Sequence, residues 1–313
     1  MSRKVITIVV PCFNEADNIG LMIEKLREVM SNYTSKYDHE ILIIDNDSTD
    51  NTVAIIKAEC ATDKRIKLIV NSRNFGWIRS PYHGLLQATG DAVVYMAADF
   101  QDPPEVLHEF IAKWEEGYKI AIGIKSESEE SFMMFRVRKA YYTLIDRISN
   151  NKLYKNFTGF GLYDKRIIEI LRQFDDPYPY FRGLISEVGF KKALITFTQP
   201  VRKRGITSSN FYGLYDVAML GITSYSKFPL RLATLLGFAM SGLSLLVAFI
   251  YLGMKLIFWY EFPSGNAPTV IGIFFFASVQ LFFIGILGEY IGSIHTIVQK
   301  RPLVIELERV NFD

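Results

Sequence analysis

The residues with the clearest potential for chemistry lie at 94–104, which reads Val-Tyr-Met-Ala-Ala-Asp-Phe-Gln-Asp-Pro-Pro. An apolar run typical of a strand gives way to two carboxylates, a carboxamide and two prolines. In open α/β sheets, ligands bind just beyond the carboxyl ends of the strands. Carboxylate and amide oxygens there suit Mg²⁺ or Mn²⁺ held together with substrate phosphates. The stretch predicts the metal and diphosphate end of a nucleotide site. The alternative is an ordinary acidic turn with proline.

Four apolar runs rich in β-branched residues supply the elements that would position this stretch. Such runs predict buried parallel strands, and the amphipathic segments between them predict helices. The predicted strands cover residues 5–10, 40–44, 66–70 and 92–96, and the predicted helices cover 18–30, 52–61 and 83–88. This alternating order predicts an α/β fold with a mostly parallel sheet and helices on both faces.

Three polar clusters follow the ends of predicted strands, at residues 11–15, 45–50 and 99–102. The carboxyl ends of parallel strands lie on one edge of a sheet. We therefore expect the three clusters to converge on a single pocket, which favours a nucleotide site over a simple acidic turn.

The hydrophobic residues are unevenly distributed along the chain. The 313 residues are 50% hydrophobic, and no charged residue occurs at 232–254 or at 263–288. Each stretch supplies the roughly 20 apolar residues that span a bilayer, although a helix buried in a protein core is the alternative. The formal net charge of +2 gives no basis for binding a polyanion, so nucleic acid is not an expected partner.

The charges beside the two apolar stretches predict an orientation in the membrane. Basic residues at 202–204 precede the first stretch and basic residues at 300–301 follow the second, whereas the connection 260–269 contains no Lys or Arg. The positive-inside rule then places both termini and the catalytic domain in the cytoplasm, with two membrane spans.

These features predict four parts of the chain. Residues 1–210 form a cytoplasmic catalytic domain, 211–228 an interfacial amphipathic helix, 229–295 a two-helix transmembrane hairpin, and 296–313 a cytoplasmic C-terminal tail. The stretch 130–149 also interleaves apolar with basic residues. This stretch and 211–228 each suit a helix lying on the bilayer, or alternatively a helix packed on the protein core.

Several motifs resemble those of the family 2 inverting glycosyltransferases, which have a GT-A fold. Residues 9–15 read VVPCFNE against the family's VVPxYNE, and residues 44–50 read IDNDSTD against VDDGSxD. The run RNFG at 73–76 and the run DFQDPP at 99–104 resemble RNxG and the end of DADLQDPP. The ending LGEYIG at 287–292 is similar to the branch that attaches sugars to polyprenyl phosphates, which includes dolichol-phosphate mannose synthases and bactoprenol glucosyltransferases.

The chain departs from the family pattern at a few positions. Ala97 stands where the first Asp of DAD is usual, and Asn46 and Asp47 stand where Asp and Gly are usual. Gly159 takes a position that is Asp in many relatives, and Ser208 takes that of a lysine near the membrane.

The resemblance implies inverting transfer of a hexose, glucose in the first place, from a UDP-sugar to undecaprenyl phosphate or a similar polyprenyl phosphate. The product would serve cell-envelope glycan modification at a bacterial inner membrane. Two alternatives stay open. One is another donor, such as UDP-GlcNAc, GDP-mannose or an aminoarabinose derivative, and the other is a non-catalytic membrane-anchored nucleotide-sugar binding protein. A processive polysaccharide synthase is disfavoured because the chain contains no Gln-x-x-Arg-Trp motif. A dimer or tetramer is left open.

The resemblance also implies roles for individual residues. Asp99 and Gln101 are expected to hold Mg²⁺ or Mn²⁺, and Asp99 and Arg202 to serve catalysis. The expected contacts to the donor and to the phosphates come from Pro11, Phe13, Glu15, Asp45, Asp47, Arg73, Asp99, Gln101, Arg136, Arg138 and Arg204. A phosphate monoester, with its second pKa about 6, is largely dianionic at neutral pH and needs no strong general base. The absence of an aspartate at position 159 is therefore compatible with this reaction.

Overall fold

The structure is a computed structural model that describes residues 3–126, 154, 156–200, 219–220, 223, 226, 228–258 and 266–312. Its strands are β1 (Lys4–Cys12), β2 (Tyr37–Asp45), β3 (Ile66–Asn71), β4 (Ala92–Tyr95), β5 (Ile120–Lys125), β6 (Phe157–Asp164), β7 (Lys192–Phe197) and β8 (Glu306–Val310). Its helices are α1 (Ile19–Ser31), α2 (Thr52–Thr62), α3 (Gly76–Gln87), α4 (Leu107–Glu115), α5 (Lys165–Leu171), α6 (Phe181–Glu187), α7 (Phe228–Ile257) and α8 (Asn266–Val298).

The strands form one sheet in the order β7-β5-β6-β4-β1-β2-β3-β8. The pairs β1–β2, β2–β3, β1–β4 and β5–β7 are parallel. Strand β6 runs antiparallel to both β4 and β5, and β8 runs antiparallel to β3. The predicted α/β fold with a mostly parallel sheet is confirmed, and the antiparallel strands were not predicted.

Helices cover both faces of the sheet, as the sequence pattern predicts. Alternate residues of β1 point to opposite faces, so Ile8 packs with α1, α2 and α4, whereas Val9 packs with α3, α5 and α6. Where β1 and β2 are buried on both faces, at residues 8–10 and 41–44, their sequences are continuously apolar and do not alternate.

Helix α3 is longer than the sequence predicted, because it begins at Gly76 and the prediction began at residue 83. Pro81 lies inside the helix, and proline in a helix interior reads as a stop because it lacks an N–H donor. Tertiary packing outweighs this local preference. A Cβ at Gly84 would lie 2.8 Å from Ile44 Cγ2, so the helix packs very closely against the sheet.

The segment 296–313, predicted to be a tail, contributes strand β8 to the edge of the sheet. Its sequence, Glu-Leu-Glu-Arg-Val, has no buried run that would reveal a strand. An ion pair and a hydrogen bond attach it to α2 and to α3: Lys57 lies 2.6 Å from Glu308, and His83 Nε2 lies 2.5 Å from Glu306 Oε1. The chain therefore returns to the edge of the sheet after α8.

Helices α7 and α8 are each long and apolar enough to cross a membrane, over Phe228–Met254 and Gly272–Val298. Most of their large apolar side chains among the described residues are exposed. This pattern is consistent with two transmembrane spans. The predicted hairpin 229–295 corresponds to these helices, although α8 continues to Val298.

Candidate active site

A cavity of about 770 Å³ opens where the three polar clusters meet, and we call it the main cavity. It lies at the carboxyl ends of β1 and β4. Strand β1 lies between β2 and β4. From β1 the chain first adds β2 and β3 on one side of it and then places β4 on the other side. Such a reversal of strand order is the topological switch point, where α/β sheets bind ligands. The lining residues are Pro11, Cys12, Phe13, Asn14, Glu15, Asp17, Asn46, Trp77, Ser80, Pro81, Tyr95, Ala97, Ala98 and Asp99. The expected convergence of the clusters is confirmed.

The loop after β1 is held in place by the loop after β2. Asn14 adopts a left-handed conformation with φ of 55°. Its backbone N–H donates to Ser48 Oγ at 2.9 Å, and its side-chain oxygen accepts from the Thr49 N–H at 2.8 Å. The Glu15 N–H donates to Thr52 Oγ1 at 2.9 Å. These bonds fix the loop that presents Phe13, which is 39% exposed, to the main cavity.

Asp45 does not line the main cavity, although the sequence pattern placed it in the donor site. The side chain is completely buried. Its carboxylate accepts hydrogen bonds from the Ser48 N–H at 2.9 Å and the Ser48 hydroxyl at 2.5 Å. Burial raises the pKa of this carboxyl, and the bonds from Ser48 oppose the rise. Asp47 is exposed in the same turn, with φ of 68°, and also lies outside the lining.

Asn46, a departure from the family motif, does line the main cavity, although it was not among the predicted site residues. The side chain is 7% exposed and bonds to four neighbours, one of them the Gly76 carbonyl, which accepts from Asn46 Nδ2 at 3.4 Å. Its Nδ2 donates to Asn74 Oδ1 at 2.9 Å, and its Oδ1 accepts from the Phe75 N–H at 2.9 Å and from Asn71 Nδ2 at 3.1 Å. The side chain thereby fixes the start of α3, the helix that brings Trp77 to the cavity. The sequence did contain a signal for this role. An ionised aspartate can only accept hydrogen bonds, so a carboxamide at its usual position indicates a side chain that both donates and accepts.

The acidic turn after β4 is held by its own carboxylates, and one of them lies on the wall of the main cavity. Asp99 lines the main cavity, and its Oδ1 accepts from the Gln101 N–H at 3.1 Å. Asp102 is only 6% exposed, and its Oδ2 accepts from the Ala97 N–H at 3.0 Å. Burial raises the pKa of Asp102 to about 6. The carboxylates thus shape the turn and also present Asp99 to the cavity. Gln101 is half-buried and is not part of the lining.

The described residues offer an incomplete metal site. Within the ranges that the structure describes, no group of three or more His, Cys, Asp or Glu is arranged to hold a metal ion. The Asp99 carboxylate is nevertheless a hard oxygen ligand on the cavity wall. Mg²⁺ typically binds one or two carboxylates and takes its other ligands from phosphates and water, so the donor set fits such an ion once a diphosphate is present.

A second cavity, here called the side cavity, lies between α3 and α6 and adjoins the main cavity. It is lined by Trp77, Ile78, Pro81, Tyr82, Leu85, Tyr95, Thr158, Pro179, Tyr180, Phe181 and Arg182. Trp77, Pro81 and Tyr95 line both cavities. No sequence pattern predicted the side cavity.

The position that is aspartate in many relatives is surrounded by aromatic rings. Gly159 has φ of 110°, and a Cβ there would lie 3.2 Å from Tyr95 Cε1 and 3.4 Å from Phe181 Cδ1. The Tyr163 hydroxyl donates to the Gly159 carbonyl at 2.6 Å. A carboxylate at this position would require both an unfavourable backbone conformation and movement of the rings.

The predicted arginines are not brought together in the described part of the chain. Arg73 is exposed, with its guanidinium carbon 4.0 Å from the centre of the Phe75 ring, and it is not a lining residue of the main cavity. The other four predicted arginines, Arg136, Arg138, Arg202 and Arg204, lie outside the described residues, as does most of the predicted interfacial segment 211–228.

The fold and the site define a class of enzyme. The family model described as Glycosyl transferase family 2 matches residues 7–171, which hold most of β1, all of β2 to β6 and every described wall of the main cavity. The chain belongs to this family. It is a glycosyltransferase with a mixed α/β sheet of the GT-A type.

Individual relatives are similar over nearly the whole chain. The uncharacterised glycosyltransferase YkcC of Bacillus subtilis strain 168 is 33% identical over 307 residues, which cover 97% of this chain and 94% of the relative. The prophage bactoprenol glucosyl transferase homologue of Escherichia coli K12 is 32% identical, covering 96% of this chain and 97% of the relative. The bactoprenol glucosyl transferase of Shigella phage SfII is 32% identical and covers 96% of each chain. Among solved structures, glucosyl-3-phosphoglycerate synthase from Mycobacterium tuberculosis has a TM-score of 0.49 and 16% identity, covering 70% of this chain and 76% of that one.

Proposed function

We propose that this glycosyltransferase transfers a hexose, glucose in the first place, from a UDP-sugar to undecaprenyl phosphate or a similar polyprenyl phosphate. The observation that carries the proposal is the main cavity at the switch point of the sheet, with Asp99 on its wall, in a chain that also has two apolar helices. The names of the bactoprenol glucosyl transferase relatives support the same acceptor and sugar. The product would be a polyprenyl-phosphate sugar for cell-envelope glycan modification.

The walls of the main cavity suit the two ends of a nucleotide-sugar. Pro11, Phe13 and Glu15 would bind the uridine, because an exposed ring packs on a base and a carboxylate accepts from its N–H or from ribose hydroxyls. Asp45 and Asp47 would act through the turn they form behind the loop. Arg73 would have to move from its position over the Phe75 ring to reach the donor phosphates.

Asp99, together with Gln101, would hold Mg²⁺ or Mn²⁺ beside the donor diphosphate. When bound, such an ion neutralises the charge that develops on the leaving diphosphate. Asp99 would also fix the position of the sugar, so the reaction depends on alignment of the reacting atoms and on stabilisation of the departing UDP.

The acceptor oxygen would attack the anomeric carbon in line. A bond forms between a phosphate oxygen of the acceptor and the anomeric carbon, and the bond from that carbon to the β-phosphate oxygen breaks. UDP leaves with the electron pair, and the anomeric centre is inverted. Because a polyprenyl phosphate is already largely dianionic at neutral pH, no residue has to remove a proton. The aromatic surroundings of Gly159 are compatible with this mechanism.

The two apolar helices would span a bacterial inner membrane, with both termini and the catalytic domain in the cytoplasm. The site would then face the headgroups from which the acceptor phosphate protrudes. Arg202, with Arg136, Arg138 and Arg204, would clamp that phosphate, because guanidinium groups bind phosphate in bidentate fashion. A dimer or tetramer would be compatible with this arrangement.

The test uses the full-length protein reconstituted in lipid with undecaprenyl phosphate. Labelled UDP-glucose, UDP-GlcNAc and GDP-mannose are supplied in turn, and mass spectrometry identifies the lipid product. We expect transfer from UDP-glucose, loss of transfer with EDTA, and recovery with Mg²⁺ or Mn²⁺. Asp99→Asn should lower kcat roughly 10²-fold or more. The control Asp38→Asn changes an exposed carboxylate on β2, outside the lining of both cavities, and should keep wild-type turnover.

Two other results would lead to different conclusions. Transfer from another donor would retain the reaction and change the sugar. Nucleotide-sugar binding without turnover from any donor would refute the proposal and identify a non-catalytic binding protein. The substitution of the usual motif aspartate by Ala97 is the observation that favours this second candidate.

A further inference from the structure

The side cavity has walls that suit a partly apolar ligand. Trp77, which is 55% exposed, lines both the side cavity and the main cavity. Tyr95 and Phe181 also line the side cavity, and their ring centres lie 6.0 Å apart. Pro81 and Pro179 add apolar surface. Aromatic and apolar walls with a few polar groups are typical of small-molecule sites, in which the polar groups determine the orientation of the ligand.

Two polar groups on the wall have no protein partner among the described residues. The Thr158 hydroxyl is completely buried and makes no hydrogen bond there. The side chain of Arg182, which is half-buried, has no hydrogen bond or ion pair with any part of the chain that the structure describes. A buried polar atom without a partner is unfavourable, so a ligand that supplies the missing partner would recover free energy.

The side cavity is also close to the proposed reacting centre. Tyr95 belongs to both cavities, and it ends the strand that leads to the acidic turn. Burial raises the pKa of the Tyr95 hydroxyl, the charges of Asp102 and Asp99 raise it further, and the charge of Arg182 opposes them. Arg182 and Tyr95 line the side cavity together, and Tyr95 also lies on the wall of the main cavity that holds Asp99.

We propose that the side cavity binds the hexose of the nucleotide-sugar donor, with Arg182 and Thr158 bonding to sugar hydroxyls. The inference rests on the proposed function, because it assumes a nucleotide-sugar ligand in the main cavity. A hexose presents C–H faces that pack on aromatic rings and hydroxyls that pair with a guanidinium and a threonine. A phosphate is a less suitable occupant, since phosphate sites gather several charged or N–H donors, and Arg182 is the single cationic side chain in this described lining.

The assignment makes Arg182 and Thr158 binding residues that act on the sugar and not on the nucleotide. Removing either group should therefore weaken binding of the nucleotide-sugar and leave binding of the parent nucleoside diphosphate unchanged. Arg182→Met keeps the length of the side chain and removes the charge and the donors, whereas Arg182→Lys keeps a charge without the planar fork. Thr158→Val keeps the shape and removes an unpaired hydroxyl, so the variant should fold at least as stably as the wild type.

Calorimetric titration of the full-length protein in detergent, without acceptor, tests the proposal. The probes are UDP, UDP-glucose, UDP-GlcNAc, GDP and GDP-mannose, with Mn²⁺ present. The wild type should bind one nucleotide-sugar more tightly than its parent diphosphate. Arg182→Met should weaken that sugar-dependent binding about tenfold, a change of about 1.4 kcal/mol, and Arg182→Lys should recover part of it. Arg166→Met is the control, because this exposed arginine contacts the Phe190 ring away from both cavities.

Each other outcome would overturn the assignment. Equal loss of UDP and UDP-glucose affinity in Arg182→Met would place Arg182 on the diphosphate. Unchanged affinities with a raised KM for polyprenyl phosphate would place it on the acceptor. If the wild type binds no nucleotide-sugar more tightly than the parent diphosphate, the sugar makes no stabilising contact and the proposal is wrong. Because these titrations need no turnover, failure of the transfer reaction alone would not affect the result.

Discussion

Replacement of Asn46 by aspartate, the residue usual at this place in the family, is expected to destabilise the protein. The substitution preserves size and shape, and it looks like a restoration of the motif. The carboxylate could still accept from the Phe75 N–H and from Asn71 Nδ2. It could no longer donate to Asn74 Oδ1, which lies 2.9 Å from Asn46 Nδ2. Two oxygen atoms would then face each other at a position where the side chain is 7% exposed.

The neighbouring side chain cannot relieve this conflict by turning over. Asn74 Oδ1 also accepts from the Gly76 N–H at 2.8 Å, and a flipped amide would lose that bond. A buried hydrogen-bonding group left without its partner costs about 1–3 kcal/mol. We therefore expect Asn46→Asp to lower the free energy of unfolding by about 2 kcal/mol. At about 2–4 °C per kcal/mol for a domain of this size, the melting temperature should fall about 4–8 °C.

The loss of unfolding free energy in Asn46→Asp should be larger at high pH than at low pH. Burial favours the neutral form of a carboxyl, so the pKa of the new Asp would be higher in the folded state than its value of about 3.9 in the unfolded chain. The neutral acid can donate to Asn74, as the amide does. The destabilisation should therefore be small below about pH 4 and grow as pH rises through the folded-state pKa.

Thermal unfolding of the full-length protein in detergent, between pH 4 and pH 8, measures this effect. Asn74→Asp is the matched control. Both side-chain bonds of Asn74 are made by its oxygen as acceptor, and the side chain is exposed, so an aspartate there should be tolerated. Equal melting temperatures for Asn46→Asp and Asn74→Asp at pH 8 would refute the reasoning, as would a difference that does not change with pH.

Two further predictions concern the site. Asp102 is buried and its pKa is raised to about 6, so the contribution of this residue to stability should fall as pH rises from about 4 to 6. Asp102→Asn keeps the acceptor for the Ala97 N–H, and in metal-free urea titrations it should be up to about 3 kcal/mol more stable than the wild type above pH 6. A variant no more stable than the wild type at pH 8 would contradict this. Gly159→Asp should lower stability by about 1–3 kcal/mol because of its φ of 110°, and transfer assays should show no gain in turnover. Turnover above the wild-type level would show that the position accepts a catalytic carboxylate.

Local sequence was sufficient for the strands that build the main cavity. The predicted strand 5–10 lies within Lys4–Cys12, and the predicted helix 52–61 corresponds to Thr52–Thr62. Buried parallel strands reveal themselves by continuous apolar runs, and the ends of such strands share one edge. The convergence of the three clusters could therefore be predicted without knowledge of any contact between them.

Sequence by itself thus determined the α/β class, the edge of the sheet that holds the site and the two apolar helices, because each depends on patterns within about 20 neighbouring residues. Only the tertiary structure decided which side chains face the cavities. Asp45 is directed into a buried turn, whereas its neighbour Asn46 reaches α3, and β8 pairs with a strand more than 200 positions earlier. Arg182, Thr158 and Trp77 line one cavity because α6 packs against β6 and α3. Such contacts join distant segments, and local periodicity carries no information about their partners.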